Sequence, residues 1–185
     1  GPDCVQHLRG MFAFAIWDKQ QQCLFLARDR LGIKPMFYTL LHNGEFIFGS
    51  ELKVLRQHPQ FDHQLRHTAI EDYFTFGYVP EPHTIYQHSY KLSPGHTLLL
   101  KHGSTSLPEP VQYWDVPTQW DKALTTDTLQ QELIGRLREA VKIRLVAEVP
   151  LGAFLSGGVD SSAVVATMAG LSSTPVHTCS IAFDD

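Results

Sequence analysis

The stretch Val149-Pro150-Leu151-Gly152-Ala153-Phe154-Leu155-Ser156-Gly157-Gly158-Val159-Asp160-Ser161-Ser162 decides how the second half of the chain folds. Val149 to Leu155 is a short, almost wholly apolar run of the length of a buried strand. After Gly158 a helical pattern runs through Val164, Val165 and Met168 to Gly170, and a second apolar run follows from Val176 to Ile181. Strand, helix, strand is the βαβ unit of a parallel sheet. Upstream, Leu129, Leu133, Leu137, Val141 and Leu145 are spaced by four, with Ile134 and Ala140 widening the stripe. That spacing predicts an amphipathic helix packed on the sheet.

The turn inside this stretch has the chemistry of an anion cradle. Adjacent glycines between a strand and a helix let backbone N–H groups come close to an anion, and the helix start contributes about half a positive charge. Ser156, Ser161 and Ser162 add hydroxyls. Asp160 would repel bare phosphate, but it suits a Mg²⁺ that phosphates share. The lysine of Gly-x-x-x-x-Gly-Lys-Ser/Thr is missing, and the pattern is not Gly-x-Gly-x-x-Gly. Ser-Gly-Gly-x-Asp-Ser instead resembles the signature of the ATP pyrophosphatase family, whose members split ATP between its α and β phosphates. A serine-glycine helix start with no ligand is the plainer alternative.

The first half reads as antiparallel β structure. Met11 to Trp17, Leu24 to Ala27 and Met36 to Leu41 are strand runs, and Phe46 to Phe48 returns after His42-Asn43-Gly44-Glu45. Asn-Gly there suits a type I′ hairpin. Ser50 is placed to cap a helix from Glu51 to about Gln57, and a second helix is expected from Thr68 to Phe76, ending before Gly77. Thr97 to Leu100 is a further strand. Pro108, Pro110 and Pro117 mark a connector.

Composition excludes several classes. Hydrophobic residues make up 43% and charged residues 18%, the balance of a folded protein. A net charge of -4 provides no basic field for nucleic acid, and no apolar run approaches the ~20 residues that span a bilayer. A cytoplasmic protein is expected. Cys4, Cys23 and Cys179 are too few and too scattered for a disulfide framework, so buried free thiols are expected. His63 and His67 have helical spacing but no acidic or cysteine companion, and read as surface residues.

Four blocks occur in order: Leu8 to Asp18, Ala27 to Tyr38 (Ala-Arg-Asp-Arg-Leu-Gly-Ile-Lys-Pro-Met-Phe-Tyr), Gly49 to Lys53 (Gly-Ser-Glu-Leu-Lys), and Val149 to Ser162. Together they resemble glutamine-hydrolysing asparagine synthetase. The resemblance implies a mixed α/β and α+β chain. Residues 1–110 would be the C-terminal part of an N-terminal-nucleophile, glutaminase-like antiparallel β domain. A linker would follow at 111–125, and residues 126–185 would open a parallel-sheet adenine-nucleotide-binding synthetase domain. In that family glutamine yields ammonia, ATP adenylates aspartate, and ammonia displaces AMP to give asparagine. Carried over residue by residue, ATP falls on Leu155, Ser156, Gly157, Gly158, Asp160, Ser161, Ser162 and Ile181, with Asp160 as the Mg²⁺ ligand. For Leu155 and Ile181, plain core packing is an equal alternative. The resemblance also implies small-molecule substrates (aspartate, glutamine and ATP), no nucleic-acid or membrane partner, and room for a homodimer.

The family's nucleophile is an amino-terminal cysteine, and Cys4 matches no catalytic position. No catalytic residue is therefore expected among these residues, and the chain is expected to be an internal fragment, inactive alone. Arg28, Asp29, Lys34 and Glu51 could form an active charged cluster, but they read rather as a loop and helix start that hold a domain interface. Two rivals stay open: a related carboxylate-adenylating amidotransferase resembling β-lactam synthetase, and a non-catalytic nucleotide-binding module.

Overall fold

The computed structural model describes residues 1–119 and 125–182, so part of the expected linker and the final Asp184-Asp185 lie outside the described residues. The chain divides into two units, residues 1–117 and 118–185.

The first unit is antiparallel, as its alternating apolar runs predict. Strands β1 (Ala13–Asp18) and β2 (Cys23–Arg28) form a hairpin. The carboxylate of Asp18 closes its turn by accepting from the N–H groups of Gln20 and Gln21 at 2.8 and 2.9 Å. Further along the chain come β3 (Phe37–Leu40), β4 (Phe46–Gly49), the one-turn helix α1 (Leu52–Leu55), α2 (His67–Phe76), β5 (Ser89–Lys91), β6 (His96–Lys101) and β7 (Val111–Gln112). One sheet has the order β1-β2-β6-β7 and the other β4-β3-β5. Leu26, Leu98 and Leu100 of the first sheet meet Tyr38 of the second, with Met36 and Leu92 at the ends of its strands, in one core. On the other face of the first sheet, Val5 packs with Phe25 and Ala27.

Local chemistry changed several expected details. Between β3 and β4 only Gly44, at φ +85°, takes a positive φ, so the hairpin is not type I′. Gly44 N–H donates to Leu41 O at 2.9 Å and Leu41 N–H to Glu45 O at 2.8 Å, the three-residue loop in which a left-handed glycine follows a type I turn. Asn43 can keep negative φ because its Oδ1 accepts from Glu45 N–H at 3.0 Å. Ser50 caps nothing: Glu51 holds the N-cap position of α1, and the helix ends after Leu55. Strand β5 had no apolar signature: it pairs with β3, Thr39 opposite Ser89, and the buried Ser89 Oγ lies 2.7 Å from Thr84 Oγ1. Of the thiols only Cys23 is buried, whereas Cys4 is half-buried and Cys179 exposed. His63 and His67 are both exposed, as expected.

Tyr38 ties packing to pH. It is 3% exposed, with its ring 5.8 Å from that of Tyr90, and burial pushes its phenol up to about 12. Because the folded state holds this proton above the ordinary phenol value of about 10, its stabilisation is full below pH 10. It is lost as pH climbs towards 12. Absorbance at 295 nm in a Tyr38→Phe comparison should show one late-titrating phenol missing from the variant, and a difference spectrum near pH 10 would contradict this.

The second unit follows the expected order. Helix α3 (Thr126–Lys142) starts at Thr125, whose hydroxyl accepts from Thr128 N–H at 3.3 Å. Strand β8 (Gly152–Phe154), helix α4 (Val159–Ala169) and strand β9 (His177–Cys179) come next. β8 and β9 pair in parallel, with Gly152 opposite His177 and Phe154 opposite Cys179. Both strands are shorter than their apolar runs, and Pro150 has no N–H to extend β8. The stripe of α3 does not pack on the sheet. Its Val141 is buried, as is Met168 of α4, and Arg138 reaches Gly170 O at 3.4 Å, while Leu133 and Ile134 stay exposed. Two three-residue strands are too narrow to cover such a stripe.

Candidate functional site

The site is built where β8 leaves its ladder. Leu155 N–H makes one more sheet bond, to Cys179 O at 2.9 Å, and the chain then turns through Ser156, Gly157 and Gly158 into α4. Gly157 holds φ +82°, and a Cβ there would point into open space with no atom within 4 Å. A side chain would be strained at that φ and would fill the space above the turn.

Helix geometry then supplies donors. Gly158 is the N-cap, and its carbonyl accepts from Ser162 N–H at 3.1 Å, the first bond of α4. The N–H groups of Gly157, Gly158, Val159, Asp160 and Ser161 donate to no acceptor among the described residues. They sit at an exposed helix start, where orphan donors and the helix dipole favour an anion. The structure thus brings Ser156, Gly157, Gly158, Asp160, Ser161 and Ser162 together on one turn.

The hydroxyls do less than expected. Ser161 and Ser162 both donate to Gly158 O, at 3.1 and 2.8 Å, and Ser156 Oγ lies 3.1 Å from Ser161 Oγ. They brace the turn from within. Asp160, in the first turn of α4, makes no ion pair among the described residues. No group of three His, Cys, Asp or Glu residues gathers to hold a metal among the described residues. A lone carboxylate still fits Mg²⁺, which keeps waters and takes its other ligands from phosphate.

Leu155 is half-buried, whereas Ile181 is 77% exposed, so core packing does not describe Ile181. Sequence reading missed Ser180, whose hydroxyl donates to Leu155 O at 2.6 Å and joins the two strand ends. A lone serine after an apolar run carries no pattern; its place beside Ile181 was the only clue.

The charged groups of Arg28, Asp29 and Glu51 each go to other partners. Arg28 spends its guanidinium on Glu81 and on the carbonyls of Gly32, Lys34 and Leu92. The Asp29 carboxylate accepts N–H groups of its own loop, and Glu51 pairs with Lys53 on the surface. Arg28 and Asp29 are fold-holding groups.

Residues 1–114 match the family described as glutamine amidotransferase domain, and residues 132–185 match that described as asparagine synthase. Over 187 residues the chain is 38% identical to a Methanocaldococcus jannaschii protein named for asparagine synthetase (glutamine-hydrolyzing), covering 100% of this chain and 36% of the relative. Asparagine synthetase (glutamine-hydrolyzing) 3 of Bacillus subtilis is 37% identical, over 99% of this chain and 30% of its own length. Amidase chyE of Penicillium rubens is 35% identical, over 92% of this chain and 25% of its own length. The chain thus spans about a third of the first two relatives. Through the match over residues 1–114, the chain belongs to the glutamine amidotransferase domain family.

Proposed function

We propose that the whole protein is a glutamine-dependent asparagine synthetase whose ATP lies on the 155–162 turn. Residues 1–110 would belong to the N-terminal-nucleophile glutaminase domain, 111–125 to a linker, and 126–185 to the ATP-binding synthetase domain. The observation that carries the reading is the run of unpaired N–H groups from Gly157 to Ser161 at the start of α4. They suit the pyrophosphate part of ATP, with Asp160 placed to share Mg²⁺ with the phosphates.

The chemistry follows from the leaving groups. A carboxylate resists amine attack until it carries one. The side-chain carboxylate of aspartate attacks the α-phosphorus of ATP, pyrophosphate leaves, and β-aspartyl-AMP forms. Ammonia from glutamine then attacks the acyl carbon and expels AMP, giving asparagine. The turn's N–H groups hold the departing pyrophosphate. Asp160 would hold the Mg²⁺, which would supply positive charge to the phosphates.

Among the described residues no helix is long and apolar enough to cross a membrane. Products formed by the whole protein from ATP, Mg²⁺, aspartate and glutamine are the test. Aspartate-dependent AMP, pyrophosphate and asparagine are expected, and residues 1–185 alone should form none. AMP and pyrophosphate with a different acid alone would move the protein to a related carboxylate-adenylating enzyme. No ATP cleavage with any acid would leave a nucleotide-binding module.

A further inference from the structure

The last rung between β8 and β9 is made by a side chain. In a parallel ladder the bonds are evenly spaced, so Leu155 N–H to Cys179 O should be followed by Ile181 N–H to Leu155 O. The first bond is present at 2.9 Å. The second is not: Ser180 Oγ donates to Leu155 O at 2.6 Å, and no carbonyl among the described residues accepts Ile181 N–H. The donor so released lies at the carboxyl end of the strands, where ligands of open α/β sheets sit. It is next to an exposed isoleucine side chain and one residue pair from the anion-binding turn.

We propose that Ser180 is a positioning residue for base recognition: by taking the Leu155 carbonyl it keeps the Ile181 N–H free to donate to a purine ring nitrogen. This rests on the reading of the 155–162 turn as the ATP site and deepens it. Adenine presents an unprotonated ring nitrogen on its pairing edge, whereas the corresponding nitrogen of guanine carries hydrogen. A fixed N–H at this point therefore favours ATP over GTP. Without the Ser180 hydroxyl, Leu155 O is left open, and Ile181 N–H can swing onto it and extend β9.

The experiment compares the whole protein with its Ser180→Ala and Ser180→Thr variants. Calorimetry measures binding of ATP, GTP and inorganic pyrophosphate with Mg²⁺, and hydrogen exchange follows the Ile181 amide. Ser180→Ala should weaken ATP binding about three- to tenfold, the worth of one hydrogen bond. It should narrow the preference over GTP and leave pyrophosphate binding unchanged. The Ile181 amide should exchange rapidly in the unliganded wild type and slow on adding ATP; in Ser180→Ala it should be slow before ATP is added. Threonine should restore wild-type behaviour. ATP affinity and Ile181 exchange in Ser180→Ala equal to wild type would overturn the proposal, as would an equal loss of pyrophosphate binding. A wild type that binds pyrophosphate but shows no ATP preference also overturns it and spares the turn as an anion site; binding neither removes the nucleotide reading and this inference together.

Discussion

Asp160→Ala in the whole protein should lower aspartate-dependent pyrophosphate release about a thousandfold, equivalent to about 4 kcal/mol of transition-state stabilisation. The side chain is exposed, has no ion-pair partner among the described residues, and stands in the first turn of α4 beside five orphan N–H groups. A carboxylate is favourable there for the helix dipole alone, by about 0.3–1 kcal/mol. A purely structural role would therefore cost stability slightly and catalysis little. The proposed role separates from it by a reversal of sign. With Mg²⁺ present, the variant should bind ATP less well than the wild type. With Mg²⁺ chelated it should bind ATP better, because a negative charge facing the phosphates has gone. Pyrophosphate release within tenfold of wild type, or ATP affinities whose order does not reverse on chelation, would reject Asp160 as the cation's ligand.

The parts of the chain governed by apolar period were legible from sequence. The run from Leu24 to Ala27 lies inside β2, which is buried on both faces and so is apolar without a break, and the helical pattern after Gly158 is α4. The turn was legible for a different reason: glycines between a strand and a helix have few other uses. What could not be read was set by polar groups finding partners far along the chain. Ser89 enters β5 by pairing with Thr39 of β3, and Val111–Gln112 becomes β7 by pairing with His96 and Thr97. Neither pairing leaves a local period. Ser180 was missed on the same ground, since its role exists only once Leu155 and Cys179 are side by side. Arg28 and Asp29 were visible as charged residues in an apolar setting, yet only the geometry of the loop after β2 shows what they hold.

That geometry makes Asp29→Ala the change with the largest expected effect on stability. Asp29 is 1% exposed, and its carboxylate accepts four main-chain N–H groups: Leu31 at 3.2 Å and Ile33 at 3.0 Å on Oδ1, Phe12 at 3.3 Å and Lys34 at 2.9 Å on Oδ2. One side chain thus fixes the loop from Leu31 to Lys34 and joins it to the residue before β1. The adjacent Arg28 works on the opposite groups, donating to Gly32 O at 2.7 Å and Lys34 O at 2.8 Å. The loop's donors go to Asp29 and its acceptors to Arg28, so alanine at 29 orphans one set while the guanidinium still holds the other. Buried donors left without acceptors cost about 1–3 kcal/mol each, reduced here because the loop can admit water. A net loss of about 3–5 kcal/mol is expected, a large part of the stability of an ordinary domain. Asp29→Asn should lose less: its carbonyl oxygen can keep one pair of bonds, while its amide opposes the N–H groups of the other. Urea unfolding read by the tryptophan signal should order the proteins wild type, Asn, then Ala. An alanine variant within 1 kcal/mol of wild type would mean that water replaces the carboxylate at little cost, and that the loop owes its shape to Arg28 alone.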